Sequence, residues 1–175
     1  MLDDAIRRQR TIHEAGMIHL ARTAGVPSPF LYDVDVASST LVMEFVDGSR
    51  VKDLIGAVGP GVQDGIFSEF GENTARLHRS GIMHGDLTTA NVVKRGGELV
   101  FIDFGLSVKT SRVEDHAVDL RLIKETVVGA HSSVAARALE AFNEGYLHVA
   151  GPERTRAVLK QLQSIERRGR YARVT

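Results

Sequence analysis

The stretch HGDLTTANVV occupies residues 84–93. It follows the apolar pair Ile82-Met83 and closes in Val92-Val93, which predicts two short strands flanking an exposed polar loop. Polar loops held between apolar strands often display catalytic groups. This loop carries a histidine, an aspartate and, five residues after the aspartate, an asparagine: His84, Asp86 and Asn91. Asp and Asn are also ordinary turn residues, so the loop alone does not establish a function.

A second stretch, ELVFIDFGLS at residues 98–107, completes the pattern. The turn signal Gly96-Gly97 and the apolar run 99–102 predict a hairpin strand that ends directly before Asp103. Two such loops can bring Asp86, Asn91 and Asp103 to one point. Carboxylate and amide oxygens suit Mg²⁺, so Asn91 and Asp103 would hold metal and nucleotide while Asp86 orients or deprotonates a hydroxyl. The pair of motifs, 17 residues apart, indicates Mg²⁺-dependent phosphoryl transfer.

Bulk composition excludes several other classes of protein. The 175 residues suffice for one domain with a sizeable core, and a net charge of zero does not by itself indicate a nucleic-acid or membrane partner. With no cysteine, the chain has neither a disulfide framework nor a thiolate zinc site, which fits a reducing cytoplasm. The spacings of the seven histidines match no zinc-ligand pattern. We therefore expect a cytoplasmic protein.

Periodicity and turn residues predict the remaining elements. The helix predicted over 63–79 has a stripe that we expect to be buried: Ile66, Phe67, Phe70, Thr74 and Leu77. The break Gly59-Pro60-Gly61 precedes this helix. The other predicted elements are a helix over 3–24, strands over 29–35 and 40–46, a short helix over 50–58, and helices over 117–130, 132–151 and from Pro152 onward.

These motifs resemble those of the protein-kinase superfamily. HGDLTTANVV is similar to its catalytic loop, FIDFG to its metal-binding turn and LVMEFVDG to its hinge. The resemblance implies an α+β, protein-kinase-like fold with a nearly complete helical C-lobe and an N-lobe reduced to one helix and two strands. Residues 1–46 would be the partial N-lobe and hinge, 47–166 the C-lobe, and 167–175 a basic tail.

The resemblance also implies a role for each matching residue, with ATP and Mg²⁺ as cofactors. In the family the hinge backbone pairs with adenine, which places the gatekeeper at Met43, the adenine-facing carbonyl at Glu44 and the adenine-facing amide at Val46. Glu14 matches the glutamate that pairs with the phosphate-binding lysine. The remaining matches are the catalytic aspartate, the two metal ligands and the two residues that support the catalytic loop: Asp86, Asn91, Asp103, His84 and Asp119.

A narrower resemblance is to the small atypical kinase subunit of the KEOPS complex. It rests on LDDAIRRQRTIHEA, the two catalytic stretches, EDHAVDLRLIKE and the terminal RRGRYAR. This resemblance implies an ATP-binding serine/threonine kinase or ATPase that supports threonylcarbamoyladenosine modification of tRNA. Its partners would be the large sugar-kinase-fold subunit and the other subunits of that complex.

The chain departs from the wider kinase pattern at several points. Gly85 replaces an arginine that grips a phosphorylated activation loop, and Thr88 replaces a lysine near the γ-phosphate. Only 13 residues separate Gly105 from Asp119, too few for a long activation segment. No G-x-G-x-x-G occurs, and no early strand offers a phosphate-binding lysine. We expect that the start is internal to a longer gene product; dependence on another polypeptide is the alternative.

Two other functions fit part of the pattern. Small-molecule phosphotransferases of the aminoglycoside or choline kinase type also use an HGD loop and an IDFG-like turn. They usually add a large acidic helical region, whereas the C-terminal part here is short and basic. A docking scaffold that has lost nucleotide handling would explain the missing glycine-rich loop, but it has no need for Asp86, Asn91 and Asp103.

The C-terminal end is basic. From Glu153 onward there are seven Arg or Lys against two Glu. We expect Gly169 to break the last helix, so that four arginines form an arm that binds tRNA phosphates or a partner: Arg167, Arg168, Arg170 and Arg173. Tyr171 lies among them and could stack on a base. A merely solvated tail is the alternative.

Overall fold

A computed structural model describes the backbone of residues 2–171 and the side chains of residues 3–168. Within this part of the chain there are six helices and seven short strands, an α+β arrangement as predicted. Their bounds are α1 Leu2–Thr23, β1 Leu31–Asp35, β2 Thr40–Met43, β3 Ser49–Arg50, α2 Val51–Leu54, α3 Pro60–Arg79, β4 Ile82–Met83, β5 Val92–Arg95, β6 Glu98–Phe101, β7 Val108–Lys109, α4 Val113–Ala130, α5 Ala135–Ala150 and α6 Pro152–Tyr171.

Helix α1 matches its predicted range to within one residue at each end. Asp3 and Asp4 lie in its first turn, where carboxylates favour the positive end of the helix dipole. Gly25 follows in the left-handed conformation, with φ +77°. The buried face of α1, which includes Met17 and Ile18, packs against the antiparallel hairpin β1–β2. This unit forms the small end of the molecule.

Helix α3 is the central helix of the larger end. Its predicted start at residue 63 is wrong, because Gly59 is the N-cap and Pro60 begins the helix. Proline is tolerated in the first turn of a helix, because a backbone N–H at that position would have no intrahelical partner anyway. All five residues of the predicted stripe are buried, which confirms that prediction. The stripe also continues to His78, whose side chain is 3% exposed.

Helices α3 and α5 cross at two glycines. A Cβ added at Gly71 would lie 2.0 Å from the Phe142 carbonyl oxygen, and one at Gly145 would lie 2.0 Å from the Ser68 carbonyl oxygen. This approach lets the Phe70 ring pack edge-on against Phe142, with ring centroids 5.5 Å apart. Helices α4 and α6 pack beside this pair, so the core lies among four helices.

Short strands position the polar loops. The predicted hairpin turn is present: β5 and β6 pair antiparallel, from Val92 opposite Phe101 to Arg95 opposite Glu98. Strand β6 ends at Phe101, one residue before the predicted end, and the Ile102 amide donates to the Asn91 carbonyl at 2.9 Å. Strand β4 pairs with β7, a strand that the sequence did not predict. That pairing holds the segment after residue 103 beside the loop of residues 84–91.

The last helix differs from its prediction. Pro152 begins α6 as expected, but α6 continues to Tyr171, so the predicted break at Gly169 is wrong. A glycine within a helix costs only about 1 kcal/mol relative to alanine, and α6 is anchored by the buried Val158 and Leu162. No helix within residues 2–171 is long and apolar enough to cross a membrane.

Candidate active site

The loop between β4 and β5 brings together two of the predicted site residues. Asn91 Nδ2 donates to the Asp86 carbonyl at 2.9 Å and to Asp86 Oδ2 at 2.8 Å. The Asn91 amide closes the turn by donating to the Thr88 carbonyl at 3.1 Å. Both side-chain N–H groups of Asn91 are directed at Asp86. The side-chain oxygen of Asn91 is therefore left to face a cation.

Asp119, on α4, holds the start of this loop. Its carboxylate accepts hydrogen bonds from the His84 amide at 2.7 Å and the Gly85 amide at 2.9 Å. It also accepts from His78 Nε2 at 3.1 Å. Burial opposes ionisation of this fully buried carboxyl, yet the hydrogen bond and charge of His78 and the further contacts of the loop hold its pKa below the usual range. The sequence did not single out His78, although it continues the buried stripe of α3.

Gly85 has no room for a side chain. Its φ is +84°, and an added Cβ would lie 2.2 Å from the Leu106 carbonyl oxygen. Any larger residue would push apart the catalytic loop and the segment after Asp103. The arginine that many kinases carry here is therefore incompatible with this backbone.

Asp103 and Glu14 lie close to each other beside Gly105. Asp103 has φ +63°, a left-handed conformation that costs a non-glycine residue about 1–3 kcal/mol. A Cβ added at Gly105 would lie 3.5 Å from Asp103 Oδ1 and 3.7 Å from Glu14 Oε2, so both carboxylates border the same small space. Partial burial and the negative charge of Asp103 raise the pKa of the Glu14 carboxyl. Two carboxylates that repel each other are a suitable environment for a cation.

The oxygen donors of the site fit Mg²⁺ rather than zinc. In the described part of the chain, His, Cys, Asp and Glu side chains form no group of three or more placed to hold a metal ion. The site instead offers the carboxylates of Asp86 and Asp103 and the amide of Asn91. These are hard oxygen ligands, and they fill only part of an octahedral shell. Such a set suits Mg²⁺, which normally shares its shell with phosphates and water.

His84 and His13 connect the loop to its surroundings. His84 is fully buried, with its ring 4.9 Å from that of Phe104, and burial lowers the pKa of its imidazole. Its carbonyl accepts a hydrogen bond from Ser107 Oγ at 2.9 Å. His13 Nε2, on α1, donates to the Ser107 carbonyl at 2.7 Å. The helix that carries Glu14 is thus tied to the segment after Asp103, a link between residues 94 positions apart that the sequence did not reveal.

The predicted hinge follows β2. The Glu44 amide donates to the Phe30 carbonyl at 2.8 Å, while the Glu44 carboxylate accepts from the Phe30 amide at 3.1 Å and pairs with Arg95. The Phe30 hydrogen bond, with a further contribution from Arg95, lowers the pKa of the Glu44 carboxyl. Neither the Glu44 carbonyl nor the Val46 amide has a hydrogen-bond partner among residues 2–171, so both can pair with a ligand. Met43 is partly buried beside them.

The basic end of the chain lies away from these loops in sequence and is only partly described. Arg168 pairs with Glu114 of α4 at 3.2 Å and its side chain is 63% exposed. Arg167 is exposed on the same helix. The predictions for the side chain of Arg170 and for Arg173 lie outside the described residues.

Comparison with known proteins places the chain among named relatives. Residues 4–124 match the family model of the RIO domain. The chain is 35% identical over 170 residues to the KEOPS complex subunit Bud32 of Pyrococcus abyssi, covering 97% of this chain and 77% of that protein. It is 38% identical over 170 residues to a probable serine/threonine-protein kinase BUD32 homolog of Archaeoglobus fulgidus, covering 97% of this chain and 80% of that one.

Two further similarities extend this picture. A probable bifunctional tRNA threonylcarbamoyladenosine biosynthesis protein of Methanothermobacter thermautotrophicus is 38% identical over 170 residues, which is 97% of this chain and 30% of that longer protein. Among solved structures, WaaP in complex with acyl carrier protein aligns with a TM-score of 0.69 at 15% identity, covering 91% of this chain and 75% of WaaP. At that identity the likeness shows a shared fold.

Proposed function

Because the chain belongs to the RIO-domain family of atypical kinases, and to the same family as the KEOPS subunit Bud32, we propose that it binds ATP with Mg²⁺ and acts as the kinase or ATPase subunit of a KEOPS complex. The product of that complex would be threonylcarbamoyladenosine in tRNA, which the names of several relatives state for those proteins. The family and the fold shared with WaaP confirm the predicted protein-kinase-like architecture.

The observation that carries the proposal is that Asn91, which pairs with Asp86, also accepts from the Ile102 amide, directly before Asp103. Asn91 and Asp103 would hold Mg²⁺, which neutralises charge on the phosphates during transfer. Asp86, fixed by two hydrogen bonds from Asn91, would orient the attacking hydroxyl or water. Glu14 would pair with a cation on the phosphate side of the site.

The free backbone groups of the hinge support adenine binding. An adenine edge needs one acceptor and one donor at adjacent positions, and the Glu44 carbonyl and Val46 amide offer that pair. Because Arg95 pairs with the Glu44 carboxylate, the backbone of residues 44–46 rather than that carboxylate would meet the base. Met43 would be the gatekeeper residue beside the base.

The structure argues against control by phosphorylation of an activation loop. The segment between Gly105 and Asp119 is short, and part of it is held as β7 against β4. Gly85 cannot be replaced by a phosphate-gripping arginine without a backbone clash. We therefore expect no regulation by a phosphorylated loop.

The basic end would serve the same complex. Arg167 and Arg168 project from the end of α6, and with Arg170 and Arg173 they would contact tRNA phosphates or the large subunit. Binding through phosphates would weaken steeply with salt because counterions are released. Truncation after Glu166 separates the two targets: loss of tRNA affinity at low salt indicates tRNA, whereas loss of complex-dependent activity alone indicates the subunit. A cytoplasmic location accords with a tRNA substrate and a cysteine-free chain.

Calorimetric titration of ATP with and without Mg²⁺ tests the central proposal. It should be done on this chain and on any longer product that its gene encodes. Asp103→Ala should abolish the Mg²⁺-dependent part of binding, whereas Asp53→Ala, which removes an equal charge from an exposed position on α2, should leave binding unchanged. Equal binding by wild type and Asp103→Ala would remove Asp103 from the mechanism. Turnover of an aminoglycoside or choline would instead support a small-molecule phosphotransferase.

A further inference from the structure

A buried chain of polar contacts runs from the C-terminal helix to the catalytic loop. It starts at Arg154, in the first turn of α6, whose Nη2 donates to His116 Nδ1 at 2.6 Å and to the Ser111 carbonyl at 3.0 Å. His116, on α4, is fully buried. Because a guanidinium can only donate, Nδ1 of His116 must be the acceptor. The ring proton therefore lies on Nε2, which donates to the Thr110 carbonyl at 3.1 Å.

The next contact is between two imidazole rings. His116 stacks on His78 of α3 with ring centroids 4.0 Å apart and ring planes within 7° of parallel. Burial, the neighbouring His78 and the nearby Arg154 charge lower the pKa of His116 to about 4, which keeps the ring neutral near pH 7. A neutral His116 ring can stack on His78 beside Arg154, whereas the Arg154 charge would repel a protonated His116 ring.

His78 continues the contacts to the loop. Its Nδ1 lies 2.8 Å from the Tyr146 hydroxyl and its Nε2 lies 3.1 Å from Asp119 Oδ2. Because an ionised carboxylate can only accept, Nε2 of His78 carries a proton and donates it to Asp119. Asp119 in turn accepts from the amides of His84 and Gly85, immediately before Asp86.

We propose that Arg154 is a positioning residue for the catalytic loop, acting through His116, His78 and Asp119. Arg154 fixes the tautomer and ring plane of His116, and the stacked His78 then keeps the orientation in which it donates to Asp119. The residue is remote from the reacting groups, and its effect on catalysis rests on the function proposed above. Its effect on the loop does not depend on that function.

A purely structural role is the competing explanation. Arg154 also binds the Ser111 carbonyl, so it could simply anchor α6 to the turn before α4. Two variants distinguish these roles. Arg154→Met removes the donors while keeping an apolar stem. Thr155→Val removes a hydroxyl in the first turn of α6 that donates to the Gly151 carbonyl at 2.8 Å and makes no hydrogen bond to the histidines. Arg156→Met is a matched control at an exposed position one residue further on.

Amide hydrogen exchange measures the loop directly. In Arg154→Met we expect the His84 and Gly85 amides to exchange about tenfold faster, the effect of losing one net hydrogen bond of support. Thr155→Val and Arg156→Met should leave those two amides unchanged relative to the Leu77 amide in α3. Unchanged exchange in Arg154→Met, or an equal increase in Thr155→Val, would overturn the proposal.

Two further readouts complete the test. Long-range ¹⁵N spectra of wild type should show His116 protonated at Nε2 and unprotonated at Nδ1; the opposite tautomer refutes the proposal even if Arg154→Met fails to fold. If the chain hydrolyses ATP, Arg154→Met should lower kcat about tenfold with an unchanged KM for ATP, and a rise in KM alone counts against the assignment. Absence of ATP turnover both in this chain and in any longer product of its gene within the complex would refute the proposed function while leaving the exchange and tautomer results decisive.

Discussion

His116 should make the stability of this protein depend on pH below neutrality. Its pKa lies at about 4 in the folded chain, against an ordinary value of 6.5. Between these values the unfolded chain binds a proton that the folded chain does not. The free energy of unfolding therefore falls as the pH drops from 6.5 towards 4, and His116 contributes no further loss below pH 4.

The size of the effect follows from the two pKa values. Proton linkage at a single site gives a loss of about 2 kcal/mol between pH 7.5 and pH 5. His116 is fully buried, so solvent does not screen the groups that face it. These are His78 on α3, Asp119 on its own helix and Arg154 on α6. His84 and His131 also have lowered pKa values, so the wild-type dependence contains their contributions in the same direction.

Urea unfolding at pH 7.5 and pH 5 measures the contribution of His116 as a difference between two proteins. His116→Asn removes the titrating ring, and its loss of stability over this pH range should be about 2 kcal/mol smaller than that of wild type. His19→Asn, at an exposed position on α1, should behave as wild type. If wild type and His116→Asn lose the same free energy between the two pH values, the neutral buried ring is not the cause and the reasoning fails.

Three more substitutions test the fold and the site. Gly71→Ala should destabilise the protein by at least about 1–3 kcal/mol, through overpacking against the Phe142 carbonyl. Gly65→Ala, in the same helix with nothing within 4 Å, should be neutral or stabilising; equal melting temperatures for the two variants would contradict the close helix crossing. Asp103→Gly should stabilise by about 1 kcal/mol by relieving the left-handed backbone, yet lose Mg²⁺-dependent ATP binding in calorimetry; a loss of stability would argue against strain. Glu69→Ala should cost about 1–3 kcal/mol in urea unfolding, because the buried Leu99 amide loses its acceptor at 2.6 Å, and a change below about 0.5 kcal/mol would show that another group replaces it.

Local patterns in the sequence were enough to predict the hairpin and the presence of the helices, although not all of their ends. The turn at Gly96-Gly97 and the apolar runs beside it specify β5 and β6, because turn chemistry and alternation act over a few residues. The stripe of α3 follows from helical periodicity in the same way. The spacing of Asp86 and Asn91 is also local, and these two side chains meet in the structure as the loop pattern indicates.

Tertiary packing alone determined the contacts between residues that are far apart in sequence. The stacking of His116 on His78, the reach of Arg154 to that pair and the link from His13 to Ser107 join elements whose separation is set by the crossing of helices. The hydrophobic periodicity of the sequence does not predict such contacts, because they depend on how closely two buried surfaces approach each other. The continuation of α6 through Gly169 has the same origin: packing of the preceding turns outweighs a local preference of about 1 kcal/mol.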